Sequence, residues 1–168
     1  MGALSLSSLS RLAGLGPLAA RVIVGVIIAA HGVQKLLAGA GILAGPGNLG
    51  GNFAQLGVPA PMLMAYVVAF AEIIGGIVLI VGLLSRLSAL LLTIQLVSAV
   101  LLFKTSVGFL SSMDGPGVGA ELELALIAGL LAVLFAGPGR FSLDNALGIE
   151  CAPEDGRTRS GARRASTI

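Results

Sequence analysis

The stretch VVAFAEIIGGIVLIVG, residues 67–82, is almost wholly apolar and holds one charged side chain, that of Glu72. It lies within an apolar segment that we place at residues 59–84, and a helix needs roughly 20 residues to cross a bilayer. Because the hydrocarbon core offers no water to backbone N–H and C=O groups, such a segment is expected to be helical. The stretch therefore predicts a membrane-spanning helix with a carboxylate about midway along it.

The composition of the whole chain indicates the same class of protein. Of its 168 residues, 56% are hydrophobic and 11% are charged, and the mean hydropathy is +1.02. A soluble domain carries charge on about a quarter of its residues. Four of the ten basic residues lie in the last dozen positions, which is more typical of a cytoplasmic membrane anchor than of a nucleic-acid-binding arm. We therefore expect an integral membrane protein with lipid, and not nucleic acid, around it.

Four apolar segments predict an all-α fold, a four-transmembrane-helix bundle. The first segment could instead be a cleaved signal peptide with Arg11 as its basic flank, but its apolar run is too long and His31 interrupts the expected cleavage region. The four segments lie at about 18–38, 59–84, 86–104 and 120–136. They define a membrane domain at 18–144, between an N-terminal cytoplasmic segment at 1–17 and a polar tail at 145–168 that is expected to be disordered.

The connections between the segments also carry predictions. The first loop is glycine-rich and uncharged, so we expect it to fold back at the membrane surface with a short interfacial helix around 48–57. A sharp turn is predicted at 84–86, and residues 114–117 (DGPG) form a turn signal in the third loop. There is no sign of a soluble domain.

The basic residues predict the orientation. With four spans, both termini and the second loop lie on one side, which holds eight of the ten basic residues, whereas the other side holds only Lys35 and Lys104. The positive-inside rule then makes both termini cytoplasmic. The alanine- and glycine-rich, arginine-favouring composition suggests a bacterium, so the expected location is the inner (plasma) membrane, with multiple spans.

The first helix carries a polar stripe. At about 100° per residue, its polar and small residues fall within an arc of roughly 120°, and the two glycines among them permit close approach of another helix. This stripe is formed by Arg21, Gly25, His31, Gly32 and Lys35. It must face other helices and not lipid.

The predicted topology gathers polar residues in the outer half of the bundle. Lys35, Lys104 and Glu121 are placed near the outer surface, His31 about one turn deeper and Glu72 deeper still. A carboxylate at that depth costs several kcal/mol unless it is paired or protonated, so we take Glu72 as part of a functional site. Glu123 points away from Glu121 on the helix and is expected to be only interfacial.

Less specific interpretations of these residues stay open. The long side chains of Arg21, Lys35 and Lys104 could reach the membrane interfaces by snorkelling. His31 could be a satisfied hydrogen-bonding residue between helices. The cysteine count limits the chemistry: Cys151 is the only cysteine and forms no dithiol, and one histidine excludes a haem held by two histidines of one chain. No metal ligand set is apparent.

The order and spacing of several short motifs resemble the DoxX family of small four-helix membrane proteins. The resemblance covers about residues 18–144. It implies a four-helix bundle and a membrane partner of redox or sulfur-handling enzymes, since the family name comes from subunits of a quinone-reducing enzyme that oxidises thiosulfate. The motifs are Arg21 with Gly25, HGVQK (31–35), Phe53 with LGVP (56–59), AEIIGGIVLIVGLLSR (71–86) and GPGRFSLD (137–144).

The resemblance also marks positions for a site. Those carried over are Arg21, His31, Lys35, Glu72, Arg86 and Glu121. Nothing in the sequence supplies a thiosulfate site, so that substrate is not carried over.

Three functions follow, and the sequence leaves them open. In the first, the chain is a quinone-associated redox subunit: His31, Lys35 and Glu72 form the catalytic set, and these three with Glu121 bind the cofactor. Such a subunit receives its electrons from a partner protein. In the second, the chain is a non-catalytic anchor or accessory subunit of a larger complex or homo-oligomer, with polar residues as packing contacts. In the third, it is a small proton-linked transporter.

Overall fold

The computed structural model describes residues 15–37, 49–104 and 120–149, and they are helical throughout apart from turns. The turn signal at 114–117, the N-terminal segment at 1–14 and the tail from 150 lie outside these ranges. The helices are α1 (Gly16–Leu37), α2 (Leu49–Gln55), α3 (Pro61–Val81), α4 (Ser85–Ala99), α5 (Glu121–Ala136) and α6 (Leu143–Ala146). A π-helical turn, Val100–Lys104, extends α4.

The all-α prediction is confirmed, and three of the four predicted spans have the required length. The helices Gly16–Leu37, Pro61–Val81 and Ser85–Lys104 are long and apolar enough to cross a membrane. By contrast, α5 has 16 residues, which at about 1.5 Å per residue is short of a hydrocarbon core of about 30 Å. The fourth span and the orientation of the termini therefore stay predictions, as do the domain limits, although α6 lies across the predicted limit at 144.

The short helix α2 and the turn between α3 and α4 agree with their predictions. Helix α2 (Leu49–Gln55) lies within the predicted region 48–57 of the first loop, and Phe53 on it is buried against α3. Helix α3 ends at Gly82, whose φ of 77° is left-handed and suits a residue without a Cβ. Leu84 then turns the chain into α4.

Helices α1 and α3 pack at close range through glycine, as the polar stripe predicted. A Cβ added at Gly32 would lie 2.7 Å from Ala69 O and 2.9 Å from Ile73 N, and one added at Gly76 would lie 2.7 Å from Gly25 O. These neighbours are backbone atoms, which cannot move aside as a flexible side chain can. The crossing therefore depends on small residues from both helices.

This crossing gives a testable prediction. Alanine in place of a helical glycine usually stabilises a helix by about 0.5–1 kcal/mol, but Gly32→Ala is expected to destabilise the protein by about 1–3 kcal/mol through overpacking. The matched control is Gly16→Ala in the same helix, where an added Cβ has no neighbour within 4 Å and no loss is expected. Thermal unfolding in detergent, followed by circular dichroism, compares the two. Equal stability of both variants would contradict the close crossing.

The apolar core joins α1, α3, α4 and α5. Ile28, Leu79, Leu92 and Leu130 are each at most 2% exposed within one contiguous cluster. Many other large apolar side chains are exposed on the outside of these helices, which is the distribution expected of a bundle whose outer surface contacts lipid tails. The helices therefore bury one face among themselves and present the other outward.

A buried charged junction closes one end of the bundle, and it involves Arg21, Gly82, Phe141 and Asp144. Arg21 and Asp144 are both 0% exposed. Arg21 Nη2 donates to the carbonyl of Phe141, a Cβ at Gly82 would overlap Arg21 Nη1, and the charge of Asp144 acts on Arg21. Arg21 does not snorkel to a solvated position, because its side chain is fully buried and donates to the carbonyl of Phe141.

Asp144 also caps α4 from a distant part of the chain. Its Oδ1 accepts from Leu84 N at 2.6 Å and its Oδ2 from Ser85 N at 2.8 Å. The N-terminal N–H groups of a helix have no partner within the helix and carry partial positive charge, so a carboxylate there is favourable. Asp144 thus joins the segment that carries α6 to the start of α4 through its carboxylate, and to the end of α3 through its backbone N–H, which donates to Gly82 O at 2.9 Å. We call this set of contacts, with Arg21, the Arg21 junction.

Candidate functional site

At the opposite end of the bundle, five helices surround a cavity of about 330 Å³. Binding cavities for small molecules typically measure roughly 300–1,000 Å³, so this volume suits a ring-sized ligand. The lining comprises Ile28, His31 and Lys35 of α1; Leu49, Asn52 and Phe53 of α2; Val68 and Glu72 of α3; residues 95–96, 98–99 and 102–104 of α4 and its extension; and Leu122, Glu123 and Leu126 of α5. Most of its surface is apolar.

Glu72 is the most deeply buried polar residue of the cavity. It is 3% exposed, and its Oε1 accepts hydrogen bonds from Lys35 Nζ and, at 2.9 Å, from Gln95 Nε2. Its Oε2 is buried and has no hydrogen-bond partner among the described residues. The stripe of α1 therefore meets the carboxylate of α3 and an amide of α4 at one point.

The ion pair with Glu72 shows where the Lys35 side chain points, which snorkelling to the membrane interface would have directed outward. The Lys35 side chain is 30% exposed and the Glu72 side chain 4%, so the ammonium reaches inward to the carboxylate. Taking a charge out of water is expensive unless it is paired and hydrogen-bonded. This partner, together with Gln95, explains how a carboxylate is held at that depth.

His31 lines the cavity one turn before Lys35. Its Nδ1 lies 2.9 Å from the carbonyl oxygen of Ile27 in the preceding turn. A carbonyl only accepts, so Nδ1 carries the hydrogen and donates, and in the neutral ring Nε2 is then an acceptor. The backbone hydrogen bond fixes the ring, and the other nitrogen is the one that can serve a ligand.

A second ion pair joins the π-helical turn to α5. Lys104 Nζ lies 3.5 Å from Glu123 Oε1, and Glu123 Oε2 is buried without a hydrogen-bond partner in the described ranges. Both residues line the cavity. Irregular π-helical turns occur often at functional sites, and here the turn brings Phe103 against Phe53 of α2, with ring centroids 5.8 Å apart.

The charges around the cavity balance in sign. Among the described residues, its lining holds two ammonium groups, Lys35 and Lys104, and two carboxylates, Glu72 and Glu123, arranged as two ion pairs. Such a lining presents no net charge to a ligand. It favours a neutral, largely apolar molecule with a few polar atoms over a free anion or cation.

The structure brings most of the predicted site residues together. His31, Lys35 and Glu72 line one cavity, whereas Glu121 is not among the lining residues and its role in a cofactor site stays a prediction. Glu123, which we expected to be only interfacial, lines the cavity instead. Glu121 and Glu123 are two residues apart on α5, so their side chains point about 200° apart around the helix axis. Lys104 lies on the side of Glu123 and pairs with it.

Other lining residues gave little sequence signal. Asn52 and Phe53 lie on α2, where a short helix was predicted but no site, and Phe103 looked like an ordinary apolar residue of the third span. Gln95 is a polar residue within an otherwise apolar helix, but nothing in the sequence identifies Glu72 as its partner. Among the described residues, no group of three or more His, Cys, Asp or Glu could hold a metal ion.

Comparison with known proteins gives one family and two relatives. The family model described as DoxX matches residues 16–105. The chain is 34% identical over 134 residues to "Uncharacterized membrane protein Rv3486" of Mycobacterium tuberculosis (strain ATCC 25618 / H37Rv), covering 76% of this chain and 78% of that protein. It is 28% identical over 130 residues to "Putative oxidoreductase CatD" of Bacillus subtilis (strain 168), covering 77% and 85%. No solved structure gives a significant match.

Proposed function

Since this chain belongs to the DoxX family of membrane proteins, we propose that it is an integral membrane subunit of a redox complex whose cavity receives the ring of a quinone. The observation that carries the proposal is Glu72: a deeply buried carboxylate, paired on one oxygen and without a partner among the described residues on the other, at the wall of a mostly apolar cavity. The Bacillus subtilis relative named as an oxidoreductase agrees with this class of function.

The properties of the cavity fit a quinone substrate. A quinone ring is neutral and apolar and carries two polar oxygens, and the lining is balanced in charge, largely apolar and polar at a few points. Aromatic side chains from α2 and the π-helical turn give the ring flat surfaces to contact. Lys35 is positioned to donate to a ring oxygen, His31 Nε2 to accept from an O–H of the reduced ring, and Glu72 to hold or pass a proton.

The electrons come from a partner protein in this proposal. The chain has one histidine and one cysteine, so it does not supply a two-histidine haem or a dithiol of its own. The partner is a larger complex of which this chain is the membrane subunit. A homo-oligomer and a non-catalytic accessory role are the alternatives that the experiment below distinguishes.

The topology that we propose has four spans with cytoplasmic termini in the inner membrane of a bacterium. In support, Arg21 and Arg86 lie at one end of the bundle, beside Gly82 and Gly137, and both lysines lie at the other end. Helix α5 packs along α4 and α1, as a fourth span would. The cavity then lies in the outer half of the membrane.

The test is to purify the chain gently from its own membranes and to analyse extractable small molecules and co-purifying proteins by mass spectrometry. We expect a quinone at about one per chain, together with a redox protein. Ala99→Phe fills the cavity without changing any charge and should remove the quinone. Ala71→Phe makes the same change at an exposed position of α3 and should retain it.

Each other outcome has a definite meaning. A stoichiometric protein partner with no quinone would reject the quinone site and make the chain an accessory subunit. Quinone that persists in Ala99→Phe would place it elsewhere on the protein. Proton flux in liposomes that depends on Glu72, without any partner, would favour the transporter.

A further inference from the structure

Two carboxylate oxygens at the cavity are buried without hydrogen-bond partners in the part of the chain that the structure describes. They are Glu72 Oε2 on α3 and Glu123 Oε2 on α5, and both residues line the same cavity. Such groups are rare in folded proteins, because a buried polar atom without a partner bears its desolvation penalty uncompensated. Two such oxygens at one cavity, from different helices, therefore indicate that a ligand supplies the partners that the described residues do not.

Both missing partners are hydrogen-bond donors. Each carboxylate is in an ion pair with a lysine, and an ionised carboxylate only accepts hydrogen bonds. A ligand that satisfies Glu72 Oε2 or Glu123 Oε2 must therefore bring an O–H or N–H group. A ligand with acceptors only would leave both oxygens as they are.

Several donors of the lining are, by contrast, already engaged with the protein. Lys35 Nζ and Gln95 Nε2 both donate to Glu72 Oε1, and Ser98 Oγ donates to Ile94 O at 2.8 Å. His31 donates through Nδ1 to its own helix. The described part of the cavity thus has two acceptor oxygens without a donor, whereas several of its donors already have an acceptor.

We propose that the cavity binds the reduced, dihydroxy form of its quinone in preference to the oxidised form. The oxidised ring presents two carbonyl oxygens, which are acceptors, whereas the reduced ring presents two O–H donors for the two carboxylates. The inference rests on the proposed function, since it takes the quinone ring as the occupant. It adds which redox form the chain recognises and which residues discriminate.

A preference for the reduced form changes the redox properties of the bound ligand. Tighter binding of the reduced form raises the reduction potential of the bound couple above that of the free couple. A tenfold preference corresponds to about 30 mV for a two-electron couple. The reduced form, which is the product once the partner has supplied its electrons, is then the more tightly held of the two.

The test measures binding of three ring compounds to the purified full chain in detergent without oxygen, by equilibrium dialysis against protein-free micelles. The probes are duroquinone, durohydroquinone and 1,4-dimethoxy-2,3,5,6-tetramethylbenzene, which has the same ring but no O–H donor and no redox activity. We expect durohydroquinone to bind at least about tenfold tighter than the other two, the factor that each 1.4 kcal/mol contributes. Equal binding of all three, or tighter binding of the quinone, would overturn the preference while leaving the proposed function intact.

Binding of none of the three would reject the proposed function itself, and this inference with it. The two failures are therefore distinguishable within a single set of measurements.

Two substitutions identify the discriminating atoms. Glu72→Gln and Glu123→Gln each exchange one carboxylate oxygen for an NH₂ group, which is a hydrogen-bond donor. Because a donor favours the carbonyl oxygens of the quinone, each variant should lower the ratio of durohydroquinone affinity to duroquinone affinity at least about threefold. Thr93→Val is the control, because Thr93 donates to Ala89 O within α4 and does not line the cavity; the preference should be unchanged. Glu123 is less buried than Glu72, so Glu123→Gln can still be used to measure the preference if Glu72→Gln does not fold. Full preference in Glu123→Gln and in any folded Glu72→Gln would overturn the proposal.

Discussion

Glu72→Ala is expected to lower the quinone-linked turnover of the assembled complex by about a hundredfold or more, within the range typical of a lost general acid or base. Glu72 is the buried carboxylate that joins Lys35 of α1 and Gln95 of α4 at the cavity wall. Its removal takes away the group placed to hold or pass a proton at the ring. Turnover is measured with the native partner and a short-chain quinone under steady-state conditions.

Glu72→Ala could lose turnover because the protein is destabilised and not because a proton-carrying group is missing, and the two causes must be separated. Removal of one member of a buried ion pair leaves the other charge uncompensated and destabilises by about 3–5 kcal/mol, whereas replacing both members by apolar residues is often neutral. The double variant Lys35→Met/Glu72→Met should therefore recover much of the stability that Glu72→Ala loses. If Glu72 serves chemistry, the double variant stays inactive.

The outcome that would reject a functional Glu72 is recovery of turnover together with stability in the double variant. The pair would then be a packing contact between α1 and α3, as the accessory-subunit hypothesis holds. Unchanged turnover in Glu72→Ala would reject the assignment more directly. Inactive but stable protein in the double variant would support a functional role for the Lys35–Glu72 pair, with the loss in Glu72→Ala assigning it to Glu72.

Arg21→Met is expected to destabilise the bundle by about 3–5 kcal/mol, because it leaves the buried Asp144 without the opposite charge that faces it. Arg21 also donates to the carbonyl of Phe141, so the segment that carries α6 loses an attachment to α1. The control is Arg140→Met, which removes the same charge at an exposed position and should change stability little. Thermal unfolding of the purified variants in detergent compares them.

A second arm identifies the role of the carboxylate in this junction. Asp144→Asn retains one acceptor oxygen for the N–H groups of Leu84 and Ser85 but loses the charge. It should therefore destabilise the protein less than Asp144→Ala, which loses both. Equal stability of wild type and Arg21→Met would show that the junction does not contribute to the fold as its burial indicates.

The helices were largely predictable because hydropathy and helix breakers are local properties of the chain. The predicted spans at 18–38, 59–84 and 86–104 correspond to α1, α3 and α4 with its extension. The stripe on α1 was predictable too, since the positions of Gly25 and Gly32 on one face follow from 3.6 residues per turn. Gly76 then meets Gly25 across the crossing.

The site was predictable in its members but not in its pairing. A charged residue inside a membrane helix is informative wherever it occurs, so Glu72, Lys35 and His31 could be selected without coordinates. Which helix face meets which neighbour depends on rotation, depth and crossing angle. Those quantities decided that Gln95 joins Glu72 and that Glu123, instead of Glu121, lines the cavity with Lys104.

By itself the sequence determined a membrane-embedded helical chain, the approximate limits of its helices, and the few polar residues that lipid cannot solvate. Only the tertiary structure decided that Asp144, remote in the chain, caps α4 beside Arg21. It alone also decided that five helices leave a cavity at which two carboxylate oxygens have no partner within the described ranges. The physical reason is that hydropathy acts residue by residue, whereas hydrogen-bond pairing requires two helices to present matching groups at one depth and one rotation.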